Sequence, residues 1–257
     1  MLTRFSLPLR RGDTARGVGL AAALIALWAA LLVSGLRAPF ASMSAAEVAA
    51  RVALQTWLYT GLFITAHDAM HGTLAPGRPR LNAGLGALAV GLYALFPYAT
   101  LAAEHQRHHR HPGTADDPDF HAEGRPGFWP WYLRFVGHYV RIAQVAAMAA
   151  VFNGLQHGLR LDQRNLLLFW VLPSLLSTLQ LFYFGTWLPH REGAPFADAH
   201  RARSNAYGAF ASLVSCFHFG YHWEHHAAPS VPWWRLPEAR RAAAQTAGLR
   251  ASETQPG

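Results

Sequence analysis

Apolar residues in this chain come in blocks separated by short polar stretches. Val18–Leu36 carries no charge and is long enough to cross a bilayer as a helix rising 1.5 Å per residue. Val48–Ala66 is a second such block, Phe135–Gln156 a third (interrupted by Arg141, which would have to snorkel), and Leu166–Leu188 a fourth. Ala83–Ala103 is apolar enough to span, but Gly84, Gly86, Gly91 and Pro97 loosen or bend a helix. Tyr207–Phe217 is too short to cross alone. Phe128–Tyr132, reading FWPWY, has the composition of an interfacial aromatic belt. The pattern predicts an all-α polytopic membrane protein with four transmembrane helices. A basic segment precedes it at 1–17, the membrane domain covers 18–237, and a polar, frayed tail follows at 238–257. Val18–Leu36 has no convincing cleavage site and is read as a retained span rather than a signal peptide.

The polar stretches are rich in histidine. His67 and His71 form an HxxxH pair; His105, His108 and His109 form an HxxHH box; His222, His225 and His226 form a second one. Each box ends an apolar segment. On a helix, residues three and four apart share a face, so each box stacks its rings on one side. His218 lies one turn before His222 if that piece is helical. Eight imidazoles exceed the four ligands of a structural zinc site and fit two metal ions with positions left open. Imidazole suits iron, zinc, copper and nickel alike. A site opening toward apolar substrate favours redox iron, because unactivated C–H bonds call for O2 chemistry. The alternative is a set of His-rich loops binding adventitious or transported zinc. A metal transporter would want ionisable residues inside its spans, whereas these histidines cluster at span ends.

A shared site also changes the topology. His71 precedes Ala83–Ala103 and His105 follows it, so both ends must lie on one side. That segment is therefore expected to be re-entrant or interfacial. The chain has 22 Arg and Lys against 14 Asp and Glu, a net charge of +8, and no lysine at all. Arg4, Arg10, Arg11 and Arg16 precede the first span, which by the positive-inside rule puts the N-terminus and the histidine-box face in the cytoplasm. Basic charge can also mean nucleic acid, but no zinc-finger or recognition-helix pattern is present. The single cysteine, Cys216, excludes an internal disulfide and reads as a small core residue. No flavin, nicotinamide or haem motif is evident, so electrons would come from a separate donor.

Four stretches carry a family resemblance: FITAHDAMHG (63–72), EHQRHHRHPGTADDPDFH (104–121), YFGTWLPHR (183–191) and CFHFGYHWEHHAAPSVPWWRLP (216–237). The order HxxxH, HxxHH, HxxHH resembles the integral-membrane fatty-acid desaturase and hydroxylase superfamily. The PDFH, LPHR and EHHxxPxxPWWxLP extensions are similar to the bacterial β-carotene ketolase family. The resemblance implies two iron ions, O2 as co-substrate, a ferredoxin-type electron donor, a carotenoid substrate and oxygenation at C4 of a β-ionone ring. A carotenoid ring hydroxylase or an acyl-lipid desaturase is the alternative within the superfamily. A bacterial inner membrane is the expected location. The oligomeric state is left open.

The resemblance implies a ninth ligand at the end of the last span, where His190 sits. His218 is either a tenth ligand or a residue behind the ligands. Asp68 and Glu224, inside boxes, and Asp117, singled out by resemblance, are candidates to accept the distal N–H of a ligating ring. Glu104 and Asp116 are further candidates for that role, while Asp116 and Asp119, in a Pro/Gly-rich loop, read more readily as solvated loop charges. His111 and His121 could be ligands by proximity but read rather as surface or supporting residues, and His138, His157 and His200 read as structural. Trp57, Tyr59, Phe63, Tyr93, Phe96, Trp187, Phe219 and Trp223 could line a channel for a polyene, although aromatic residues on spans more often pack.

Overall fold

The computed structural model describes residues 7–193 and 195–253, and no strand occurs among them. Arg4 and residues 254–257 lie outside this range. Helix α1 is Asp13–Arg37. Helix α2, Ala45–Met70, starts in a capping box: the Ser44 hydroxyl accepts the Glu47 N–H, and the Glu47 carboxylate accepts the Ser44 N–H. From Leu58 onward nearly every residue of α2 is buried, whichever way it points. A helix buried all round sits at the centre of its fold. Helices α3, Pro79–Ala94, and α4, Tyr98–Arg110, pack beside it. Helices α5, Phe128–Tyr139, and α6, Ile142–Gly158, follow, then the long α7, Gln163–His190. The short helices α8, Ala209–Cys216, and α9, His222–Ala227, lead to α10, Leu236–Glu253.

Helices α1 and α7 are long and apolar enough to cross a membrane. The α3–α4 pair and the α5–α6 pair pass the same test when each is taken together, but are bent by 101° and 81°. The first bend falls at Leu95–Pro97, where proline ends one helix and opens the next. The expected third span is therefore not straight. It breaks at Val140–Arg141, so Arg141 sits at an exposed corner instead of snorkelling from mid-helix. The expected second span lies within α2, which is not among the helices apolar enough to cross. Thr60 of α2 faces inward and bonds Ser177 and Gln180 of α7, where Tyr93 of α3 also joins Ser177 and Thr178. The aromatic run 128–132 is only partly a belt. Trp129 is exposed, but Trp131 is buried, and Phe128, Trp131, Tyr132 and Phe135 surround Phe182 at 5.3–6.0 Å.

The described part of the tail continues the helix Leu236–Glu253, whose start is tied down. Arg235, 4% exposed, donates to the Asp13 carboxylate at 3.2 Å, to the Pro8 carbonyl at 3.0 Å and to Glu238 at 3.1 Å. Arg10 also reaches Glu238. This clasp ties the start of α1 to the start of α10. Removing one member of a buried ion pair leaves the other uncompensated, at about 3–5 kcal/mol. Arg235→Ala is therefore expected to lower the thermal unfolding temperature of the detergent-solubilised protein by several degrees. An unchanged midpoint would reject this role.

Candidate metal centre

Four helix ends deliver nine histidines to one place. His67 lies in the last turn of α2 and His71 caps it. His105, His108 and His109 lie in the last two turns of α4, His190 ends α7, and His222, His225 and His226 lie on α9. The boxes divide between two groups. On α4, His105 and His109 share one face, with His108 beside it; on α9, His222 and His226 share one face, with His225 beside it. One nitrogen from each of His67, His71, His105, His109 and His225 lies within 4.8 Å of all the others, and the same holds for His108, His190, His222 and His226.

The contacts are ring nitrogen to ring nitrogen. In the first group Nε2 pairs join His67 to His225 at 3.1 Å, His71 to His105 at 2.7 Å and His109 to His225 at 2.9 Å. In the second they join His190 to His222 at 3.0 Å, His222 to His226 at 3.0 Å and His226 to His108 at 3.1 Å. Two imidazoles on one metal at about 2.1 Å bring their nitrogens about 3.0–3.4 Å apart. The donor set therefore fits two metal ions, each in an all-imidazole environment. The contact between His71 and His105 also means that α3 and α4 leave the centre and return to it.

Local backbone chemistry aims these rings. Helix α7 passes through a π-helical turn at Tyr183–Trp187 just before His190, a common device at functional sites. Gly185 sits in that turn, and a Cβ there would lie 2.2 Å from the Phe219 ring. Phe219 in turn packs against His67 and His222, with ring centroids at 4.8 and 5.1 Å. Helix α8 ends in two left-handed residues, Phe217 at φ 48° and His218 at φ 64°. That reversal breaks the single helical face expected for residues 218–226. His218 stacks on Tyr221 at 5.7 Å and is in neither group.

Asp117 holds His108 from behind. Its two oxygens lie 2.9 and 3.0 Å from His108 Nδ1 and also accept the Gly113 and Asp119 N–H groups. The bond puts the proton on Nδ1 and leaves Nε2 free to face the second group. Burial raises the Asp117 pKa, but the bond from His108 and the two N–H donors outweigh it and hold the carboxyl below its ordinary range. Asp68 and Glu224 lie elsewhere. Asp68 is 3.6 Å from His67 Nδ1 and instead accepts the Trp233 N–H at 2.9 Å. Glu224 pairs with Ser204 and with Arg240 at 3.2 Å. Glu104 meets His138 at 3.1 Å, and the Asp116 side chain is largely exposed.

Two supporting residues escaped the sequence reading. Arg201, in a left-handed conformation at φ 44°, accepts the His190 Nδ1–H on its carbonyl at 2.7 Å. Its guanidinium donates to the Gly113 carbonyl at 2.8 Å, so one residue steadies both His190 and the Asp117 turn. Asp119, read as a solvated loop charge, is tucked against His108 and accepts the Tyr139 hydroxyl at 2.5 Å. Burial and the neighbouring Asp117 push its pKa up to about 6, against the pull of His108 and Tyr139. Neither residue belongs to a box, so spacing gave no signal for them.

A cavity of about 620 Å³ ends on this centre. His67, His105, His108 and His222 form its floor; Phe63, Tyr93, Phe96 and Phe219 line its walls, and it runs out past Met148, Phe152 and Trp170. Of the eight aromatics considered as a channel, Trp57, Tyr59, Trp187 and Trp223 lie outside it.

The chain matches the family model for fatty acid desaturase over residues 42–165 and 139–252. It is 45% identical over 237 residues to a β-carotene ketolase of Paracoccus sp. (strain PC1), covering 91% of this chain and 96% of that one. It is 43% identical over 207 residues to a β-carotene 4-ketolase of Haematococcus lacustris, covering 78% of this chain and 64% of the algal protein. A zeaxanthin 4-ketolase of Chlamydomonas reinhardtii is 40% identical over 240 residues, 88% of this chain and 54% of that one. With its histidine boxes gathered at the foot of an apolar cavity, the chain belongs to the fatty acid desaturase family and, within it, to the β-carotene ketolases, and it is an oxidoreductase.

Proposed function

We propose that this protein is a membrane diiron β-carotene 4-ketolase. The observation that carries the reading is the apolar cavity ending on two groups of histidines, in a chain that matches a β-carotene ketolase over nearly its whole length. His67, His71, His105, His109 and His225 would hold one iron ion, and His108, His190, His222 and His226 the other. The two ions, when bound, supply the activation of O2 that an unreactive ring C–H bond requires. The residues of the chain do the rest. Asp117 fixes the His108 tautomer, and the Arg201 carbonyl fixes that of His190. Asp68 and Glu224 anchor the ends of their boxes to Trp233 and Arg240. His218 braces the turn before α9. The aromatic walls exclude water and take one end of a polyene, orienting C4 toward the floor.

Each oxidation at C4 consumes one O2, two electrons and two protons and releases one water. The first turns CH2 into CHOH and the second makes a geminal diol, which loses water to leave the ketone. β-Carotene would pass through echinenone to canthaxanthin, and hydroxylated rings would lead toward astaxanthin. A ferredoxin-type protein would deliver the electrons. The diiron domain is 18–237, in four passages through the bacterial inner membrane, with α3–α4 re-entrant and the centre at the cytoplasmic face. The arginines of segment 1–17 support that orientation.

Pigment analysis of β-carotene-producing bacteria expressing the chain tests the reading. Echinenone and canthaxanthin are the expected products. Zeaxanthin would make it a ring hydroxylase, and newly unsaturated acyl chains with untouched β-carotene a desaturase.

A further inference from the structure

Asp119 is the sole carboxylate among the described residues lining the cavity. Its backbone is fixed on both sides: its N–H donates to Asp117, and its carbonyl accepts the Trp131 indole N–H at 2.6 Å. Its Oδ1 takes the Tyr139 hydroxyl. Its Oδ2 lies 3.8 Å from His108 Nδ1, beyond hydrogen-bond reach, and has no hydrogen-bond partner among the described residues. A carboxyl group in either charge state keeps acceptor capacity at such an oxygen. The Asp119 side chain keeps 13% of its surface accessible, so an acceptor held there in a fixed position is open to a donor that arrives with the substrate.

The ketolase reading, on which this inference rests, supplies such a donor. One carbon must be oxidised twice. After the first round, in which O2, two electrons from the protein donor and two protons turn CH2 into CHOH and water, the ring carries a hydroxyl that was not there before. An alcohol free to diffuse back into the bilayer would end the sequence one step short of the ketone. We propose that Asp119 Oδ2 accepts a hydrogen bond from that newly made C4 hydroxyl and retains the alcohol beside the centre for the second round. Asp119 is then a residue that binds the intermediate, while the floor histidines remain as assigned above.

The measurement is the ratio of C4 alcohol to C4 ketone in bacteria producing β-carotene and expressing wild type, Asp119→Leu, Asp119→Asn or Tyr139→Phe. Metal content of each purified protein is measured alongside. Wild type is expected to give mainly ketone. Asp119→Leu removes the acceptor and is expected to raise the ratio about ten-fold. Asp119→Asn keeps one oxygen for the Tyr139 hydroxyl and sets an amide N–H, which cannot accept the alcohol proton, where Oδ2 stood, so it is expected to raise the ratio but less than Asp119→Leu. Tyr139→Phe frees the carboxylate from its tether and is expected to shift the ratio the same way by several-fold, which keeps the test alive if Asp119→Leu fails to accumulate. A residue that only supports the fold would lower alcohol and ketone together, so an unchanged ratio at reduced turnover overturns the proposal. In parallel zeaxanthin-producing cells, a loss confined to that 3-hydroxylated substrate also overturns it, because it would place the bond at C3. A wild type that makes no C4 product rejects the ketolase reading itself; ketone from the wild type with unmoved ratios in the variants rejects this inference alone.

Discussion

Alanine in place of His108 is expected to abolish ketone formation and to leave the protein with about one metal ion instead of two. His108 is one of four imidazoles in the second group, and its Nε2 lies 3.1 Å from that of His226. Three protein ligands can still hold a metal in an open site, but here the loss also takes from the Asp117 carboxylate, which is 2% exposed, its one side-chain donor and leaves it only the Gly113 and Asp119 N–H groups. The five-histidine group draws on His105 and His109 from the same helix and keeps all its members. Metal analysis of the purified variant, with pigment analysis of the producing cells, checks both halves of the expectation. His157→Ala, at an exposed histidine remote from both groups, is the control and is expected to keep two ions. A His108→Ala protein with two ions and normal ketone output would remove His108 from the centre.

Asp117→Ala should come close to this in severity without touching a ligand. The substitution leaves three buried donors, His108 Nδ1–H and the N–H groups of Gly113 and Asp119, without their acceptor. Each unpaired buried donor costs about 1–3 kcal/mol. Loss of a carboxylate behind a ligating histidine typically weakens metal binding 10–100-fold. Ketone formation is expected to fall about a hundred-fold, with the second group losing metal first on titration with a chelator. Asp117→Asn keeps an oxygen for His108 Nδ1–H but turns its amide against another donor, so it should fall between. The pH behaviour has a definite sign. The folded pKa of Asp117 is lowered, so its stabilising contribution is in place above the ordinary carboxylate range and is lost as pH falls below it. Chelator resistance equal to that of the wild type would show that His108 does not need the carboxylate.

The histidine boxes were legible because helical spacing is a local property. His105, His108 and His109 lie on neighbouring faces of one turn wherever the helix goes, and the same is true of His222, His225 and His226. The bend in the apolar segment after His71 was legible too, through Pro97 and the need for His71 and His105 to meet. The failures are equally instructive. His218 looks like a fourth member of the last box only if the helix runs unbroken, and two left-handed residues break it. Arg141 looked like a charge trapped in a span because hydropathy averages over a window and does not register a corner. Asp116, Asp117 and Asp119 are nearly indistinguishable in sequence, yet one is exposed, one holds the His108 ring and one lines the cavity.

Composition, spacing and block pattern thus determined on their own that this is a helical protein whose apolar segments end in clusters of imidazole. Each of those features is written in residues a few positions apart. Tertiary structure alone decided how the nine histidines divide into five and four, which carboxylates touch them, and where the cavity runs. Those depend on contacts between residues far apart in the chain, such as His67 with His225 and His108 with His226. No periodicity records such contacts; they are set by how helices pack around α2.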